Sequence, residues 1–566
     1  MNNKHRFISI IVSLLAIAGL LASCGGGGGG GGSSALATGT FTKTIAVGAL
    51  SSAFGYPFGS GATGTRNMFM LLASDIKGSG NVRSLRFRYQ TDVATAYSCP
   101  NVTIKLGATT LSALSATYDN NVNQGAGSFT TVLNDAAVTI PAGTSGEYFN
   151  IELATPFEYN GKDNLVVEQT RTSACAGDVN IGATTVAYNA TVLVGVGGTS
   201  TTVTGTAYTS SAFMQLVFAG GDNKLPLGTY QLASPFYSSP FKFQSLYLAS
   251  EINGSGPVTG IALQTSGATF GTNTYTYTLK LGHSQLAVLG TNYADNYSDS
   301  PVTVANGVTF TIPNGLPDGD WFWIPIPDGV FNYNGTDNLI VEISTTASSG
   351  QVTYVRELPT ANRGVFVNDP AATDGTAENA ALNITLRFNG GRVNVLTDST
   401  TADGGLIFST TANGVASLFR ASELGTGGTI TSIACRSFTD SVVGNYPSFK
   451  IVIGHATVDR LTAVSSATDF VSQQVAYSGN LMIPATLKKG DWIDIPLSAP
   501  FAYDGKRNLI IWQGSTASDG SIFGNNCSFS SFDTVRYPGH MADGVPGDRF
   551  SSTAPKKEDI SLTIAK

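Results

Sequence analysis

One thirteen-residue phrase occurs three times in this chain: PFEYNGKDNLVVE from Pro156 to Glu168, VFNYNGTDNLIVE from Val330 to Glu342, and PFAYDGKRNLIIW from Pro500 to Trp512. Its asparagines Asn164, Asn338 and Asn508 stand 174 and 170 residues apart, too far for a solenoid repeat and right for a whole domain. The chain therefore reads as three tandem domains. Within the phrase, Phe157 and Tyr159 share one face of an extended segment, and Asn160-Gly161, Asn334-Gly335 and Asp504-Gly505 tolerate the positive φ of a tight turn. The apolar run that follows reads as the buried return strand of a hairpin. The asparagine before each run is placed to bond nearby backbone.

Four further phrases recur in the same order. Leu71–Gly80, Leu246–Gly256 and Leu418–Gly427 read as apolar strands stopped by glycine-rich turns. Val102–Gly107, Tyr277–Gly282 and Phe449–Gly454 alternate apolar residues as half-buried strands do. Strands at Glu147–Leu153, Asp320–Ile326 and Asp491–Leu497 put Tyr148, Trp321 and Trp492 at one repeat position, and Phe213–Phe218, Leu382–Phe388 and Ile560–Ile564 close each unit. No amphipathic helix is evident beyond short turns such as Thr109–Tyr118. The expected fold is all-β: three two-sheet β-sandwiches, each larger than a seven-strand immunoglobulin domain and jelly-roll-like. Polar turns at Gly220–Asn223 and Asn389–Gly391 divide them into 41–221, 222–391 and 392–566.

Composition fits a protein outside the cytosol. Only 12% of residues are charged, and Gly, Ser, Thr and Asn take their place, as in extracellular β proteins with many turns. With 31 basic against 38 acidic residues there is no basic stripe for phosphates, which argues against a nucleic-acid partner. Lys4 and Arg6 precede an apolar stretch, Ile8–Leu21, of signal-peptide length. Leu21-Ala22-Ser23-Cys24 resembles the lipobox of bacterial lipoproteins. That resemblance implies cleavage after residue 23, lipidation of Cys24, and a flexible tether, 24–40, that holds the domains off a bilayer. Cleavage would take the formal charge from −7 to −9. Gly25 lacks the aspartate associated with inner-membrane retention, so the resemblance further implies the outer membrane, on its periplasmic or extracellular face.

Two cysteines fall in repeat one, Cys99 and Cys175, and two in repeat three, Cys435 and Cys527; repeat two has none. One disulfide in each outer repeat is expected, since an oxidising compartment permits them and close-spaced metal ligands are missing. The repeats are also similar to accessory β-sandwich domains of secreted and surface multidomain bacterial proteins, through the Ala-Ser-Glu-Ile turn, the Leu-Gly-His strand end, the Asp-Trp strand and the repeated phrase. That similarity implies an architecture and no catalytic residues.

The search for chemistry is largely negative. His283 and His455 occupy equivalent positions, where repeat one has Ala108, and a shared position argues for a structural role; His540 sits alone in a Gly/Pro loop. There is no nucleophile elbow, zinc helix, phosphate loop or dinucleotide fingerprint. Asp75, Glu251 and Glu423 share one repeat position, and Glu168 and Glu342 share another that Trp512 fills in repeat three. Asp318, Asp320, Asp295 and Asp299 match no calcium loop and read as solvated loop residues. Trp321 and Trp323 share one strand face and Trp321 aligns with Tyr148 and Trp492, which argues for packing, whereas Tyr293 and Tyr297 lie in a polar loop and are the candidate ligand contacts. The expectation is a cofactor-free, non-enzymatic surface lipoprotein acting as a structural, adhesive or interaction module. A carbohydrate-binding lipoprotein is the alternative, and an extracellular hydrolase with an unrecognised site is a third.

Overall fold

The structure is a computed structural model and describes residues 36–565 except 46–48, 50, 56, 61–63, 123–128, 194–198, 200, 233–234, 238, 270–272, 313, 350–351, 361, 391, 396–412, 438–443, 457, 459–460, 462–469, 484–491, 516–528, 531–534, 538–551 and 555–556. Residues 1–23, expected to be a signal peptide, and Cys24, Cys527 and His540 therefore lie outside the described residues. Among the described residues helix is confined to three four-residue turns and one 3-10 turn, and strands make up the rest of the regular structure.

Each repeat is a two-sheet sandwich. One sheet is six-stranded in every repeat. In repeat one its order is Thr206–Tyr208, Thr191–Leu193, Thr65–Leu71, Asn164–Arg171, Tyr97–Thr109 and Thr130–Ile140. In repeat two it is Thr376–Glu378, Gly364–Val367, Phe241–Tyr247, Asn338–Ser349, Asn273–Ser284 and Val302–Ile312. Repeat three repeats the order with Ser552–Ala554, Val535–Tyr537, Asn413–Phe419, Asn508–Ser515, Gly444–Ala456 and Phe470–Ile483. The alternation read from sequence sets which side faces inward: Tyr275, Tyr277, Leu279 and Leu281 are fully buried while the residues between them are half-exposed. Across the sandwich of repeat one, Phe69 and Phe87 meet edge to face with centroids 6.2 Å apart.

The repeated phrase is not a hairpin. In repeat one Tyr148–Tyr159 pairs with Gly78–Arg88 in one sheet, and Asn164–Arg171 pairs with Thr65–Leu71 and Tyr97–Thr109 in the other, so the phrase is an arch between sheets. Its side chains hold the arch from within. Asn160 Oδ1 accepts from the backbone of Lys162 and Asp163 at 2.9 and 3.1 Å, Gly161 has φ of 73°, and the buried Tyr159 hydroxyl donates to Asp163 O at 2.7 Å. Asn334 and Asp504 make the same pair of turn bonds.

The marker asparagines reach farther than their own neighbourhood. Asn164, Asn338 and Asn508 accept through Oδ1 from the backbone N–H groups of Ala73, Ala249 and Ala421 at 2.8, 2.8 and 3.0 Å. Those alanines begin Ala73–Ile76, Ala249–Ile252 and Ala421–Leu424, each a single helical turn where a strand ending in a glycine turn was expected. Orphan N–H groups at a helix start need such acceptors. Glu251 and Glu423 close the same turns by accepting from the backbone of Leu248 and Arg420 at 2.9 and 2.6 Å.

The expected turn at Gly220–Asn223 is a bulge inside one unbroken strand, Met214–Leu225. Gly220 and Gly221, at φ 75° and 116°, absorb the register shift; a Cβ on Gly221 would lie 2.1 Å from Ser79 O. The first half of this strand closes repeat one beside Thr40–Ile45, and its second half opens repeat two beside Ile384–Phe388. Repeats one and two consequently share an eight-stranded sheet and one continuous core. Repeat three keeps its own four-stranded sheet and core.

One side chain ties the shared sheet to repeat three. Arg387, 2% exposed, pairs with Asp222 on the shared strand (Nε–Oδ1 2.6 Å), lies with its guanidinium 3.8 Å from the Trp323 ring centroid, and donates to Leu424 O of repeat three. Trp323 in turn packs on Gly425, where a Cβ would fall 2.6 Å from it. Arg436–Asp163 (3.0 Å) joins repeats three and one, and Lys506–Asp328 (3.0 Å) joins three and two. Cys99 and Cys175 form the disulfide expected in repeat one. In repeat three Cys435 is buried, and its thiol donates to Gln513 Oε1 at 3.4 Å.

Candidate ligand-binding cleft in repeat two

At one position the three sandwiches diverge chemically. Glu168, Glu342 and Trp512 occupy the same place in the central strand of the six-stranded sheet, opposite Lys105, Lys280 and Val452 on the neighbouring strand. In repeat one the carboxylate is capped from inside. Arg66 reaches Glu168 at 2.7 Å and Asp119 at 3.2 Å, donates to Thr202 O at 3.1 Å, and lies 4.4 Å over the Tyr118 ring. In repeat three Trp512 and Val452 pack with Ala416, Leu418 and Leu461 as an apolar cluster.

Repeat two covers the carboxylate with other groups and has a cleft above it. A cleft of about 620 Å³ is lined by Lys242, Lys280, Tyr293, Tyr297, Asp299 and Glu342, with small polar residues around the rim. Glu342 is almost fully buried: Oε1 pairs with Lys280 at 3.1 Å, and Oε2 accepts from Gln244 Nε2 at 2.7 Å and from the Tyr297 hydroxyl at 3.1 Å. Lys242, which takes the register position of Arg66, turns away from the carboxylate. Its ammonium donates to Ala372 O at 2.8 Å and sits 4.5 Å over the Tyr293 ring. Burial, with Glu342 nearby, raises both tyrosine hydroxyls above their usual range, so they act as protonated donors.

The two candidate tyrosines thus line the cleft, yet neither is a free loop aromatic. Tyr293 is 3% exposed and its hydroxyl donates to Lys242 O at 3.3 Å. Tyr297 is half-buried beneath Gly282. Stacking of a sugar on Tyr293 is excluded by its burial. The pattern that marks this loop, Tyr118-x-x-Asn121 and Tyr293-x-x-Asn296, was not picked out from sequence, although the repeated spacing was available. Asn121 and Asn296 each bond both N–H and C=O of the residue six positions earlier, Ser115 and Gly290.

The remaining candidates serve the fold. His283 Nε2 accepts from the backbone N–H of Asn334 at 3.1 Å while its Nδ1–H donates to Asp299 at 2.8 Å; His455 Nε2 accepts from Asp504 N at 3.1 Å. Both imidazoles therefore brace the arch turn. Asp318 accepts from Gly267 N at 2.7 Å and pairs with Arg356 at 2.7 Å, and Glu251 pairs with Arg363 at 2.6 Å. Trp321 and Trp492 are half-buried at strand starts like Tyr148. Among the described residues no three His, Cys, Asp or Glu side chains converge on a metal position. No protein-family model matches the chain, and no curated protein or solved structure matches it.

Proposed function

We propose that this chain is a non-enzymatic surface lipoprotein of the outer membrane, anchored through Cys24, whose three sandwiches form one interaction module with its binding face on repeat two. The observation that carries this reading is the contrast at one repeat position: covered by Arg66 in repeat one, filled by Trp512 in repeat three, and covered in repeat two by Gln244 and Tyr297 at the floor of a cleft lined by two lysines. The interlocking of the repeats around Arg387 supports presentation of that face by a stiff block.

The test is a photo-crosslinking residue placed at Ser300 on the cleft rim of the protein displayed on intact cells, with Asn120 in repeat one as the control site. A discrete adduct at Ser300 and none at Asn120 is expected. Equal labelling at both sites, or none at either, contradicts the reading. The cleft's mixed lining of ammonium, carboxylate, amide and hydroxyl groups also favours a second reading, in which the bound molecule is a carbohydrate.

A further inference from the structure

We infer that the cleft of repeat two binds an acidic saccharide, with a sugar carboxylate held between Lys242 and Lys280; this rests on repeat two being the binding face. The argument is a count of unused valences. Glu342 spends both oxygens on Lys280, Gln244 and Tyr297, so it has little left to offer a ligand. The ammoniums are in the opposite condition. Lys242 uses one of its three N–H donors, on Ala372 O, and among the described residues it forms no ion pair. Lys280 bonds Glu342 and keeps 37% of its side chain exposed. Lys280 and Glu342 balance each other and Asp299 stands at the rim, so the spare capacity of the cleft is the unpaired Lys242 ammonium and the unused N–H donors of both lysines, which an anionic acceptor satisfies.

The rim turns an anion site into a saccharide site. Asn292, Ser298, Ser300 and Thr373 supply small donors and acceptors, and the exposed Asp299, whose Oδ1 and Oδ2 accept from His283 N and Nδ1 at 3.3 and 2.8 Å, keeps further lone pairs for hydroxyl hydrogens. Donors and acceptors both line a volume of about 620 Å³, large enough for a sugar ring. Repeat one uses the equivalent position differently: the arginine at the position of Lys242 reaches the carboxylate at 2.7 Å and lies over the Tyr118 ring.

The experiment is calorimetric titration of the mature, unacylated full chain with a digalacturonate, with the neutral digalactose, and with acetate. The digalacturonate is expected to bind at least tenfold more tightly than either comparator, more weakly as salt rises. Lys242→Gln should lower that affinity at least tenfold. Lys242→Arg, which keeps the charge but installs the side chain of repeat one, should also abolish binding, with an unchanged melting temperature showing that the fold is intact. Equal binding of the neutral sugar, equal binding of acetate, no binding of the digalacturonate at millimolar concentration, or full affinity in Lys242→Arg would each overturn the proposal. An adduct at Ser300 without uronate binding would remove this ligand class and leave the interaction reading standing.

Discussion

Arg387 and Asp222 form a buried ion pair in which Nε and Nη2 reach Oδ1 and Oδ2 at 2.6 and 3.2 Å, across two adjacent strands that belong to the joint between repeats one and two. Because the same guanidinium also faces Trp323 and Leu424 O, it ties the shared sheet to the third sandwich. Charged groups this deeply buried need every partner they have.

Arg387→Ala should accordingly leave Asp222 buried and uncompensated, and cost about 3–5 kcal/mol. Denaturant unfolding measures it, and repeat three should become separately unfolding, visible as a second transition. A single transition with an unchanged midpoint contradicts the role given to Arg387.

Asn338→Ala should cost about 1–3 kcal/mol, since it strips Ala249 N–H of its acceptor and frees Leu286 O from the 2.8 Å bond donated by Nδ2. The equivalent Asn508 bonds Ala421 N–H and Val458 O at 3.0 and 3.1 Å, and its replacement should cost a similar amount. Thermal melts of the two variants give the measurement, and an unchanged melting temperature in either would count against it.

Much of this fold was legible in advance because its cause is local. Alternation in segments such as Tyr277–Gly282 fixes strand and inward face, and the phrase around Asn338 fixes the copy number. What was misread depends on distance. The partner of Asn338 is Ala249, and the strand return after Asn334-Gly335 goes to the opposite sheet, neither of which a turn dipeptide reveals. Gly220-Gly221 looks like a terminating turn in sequence, yet strands waiting on both sides make it a bulge. For the cleft, Tyr293 and Tyr297 are expected as ligand contacts and line its wall, while Lys242 and Lys280 on the same lining stand out only by comparison with Arg66 and Val452 in the other repeats.

Glu357 gives a pH signature. Burial, helped by the nearby Glu378 carboxylate, pushes its pKa up to about 7, and Oε2 is buried without a hydrogen-bond partner. The folded protein then holds a proton that the unfolded chain releases above its ordinary value near 4.5, so this group makes stability rise as pH falls from about 7 to about 4.5. Glu357→Gln should stabilise the protein at pH 8 by about 1 kcal/mol, a figure kept well below the full shift because Glu378 is half-exposed and screened by water. The gain should vanish near pH 5. Melting temperatures of both proteins across that range check it; a gain that is constant with pH contradicts it.

His455 runs the other way. Burial outweighs the attraction of Asp504 and lowers its pKa below the usual 6.5, and Nδ1 is buried without a hydrogen-bond partner. The unfolded chain therefore binds the proton first, and stability is lost as pH drops below about 6.5. His455→Asn should remove that acid sensitivity from repeat three. Urea midpoints followed by tryptophan fluorescence between pH 5 and 7.5 should converge for the two proteins on acidification, and parallel curves would rule the assignment out.

The central claim is that three repeats make one rigid block, and the distance between repeat one and repeat three tests it most directly. Spin labels at exposed Thr131 and Val475, on edge strands of the first and third sandwiches, report that distance by double electron–electron resonance. The account predicts a single narrow distribution in the native protein that broadens in Arg387→Ala. A broad distribution in the native protein, unchanged by the substitution, would contradict it.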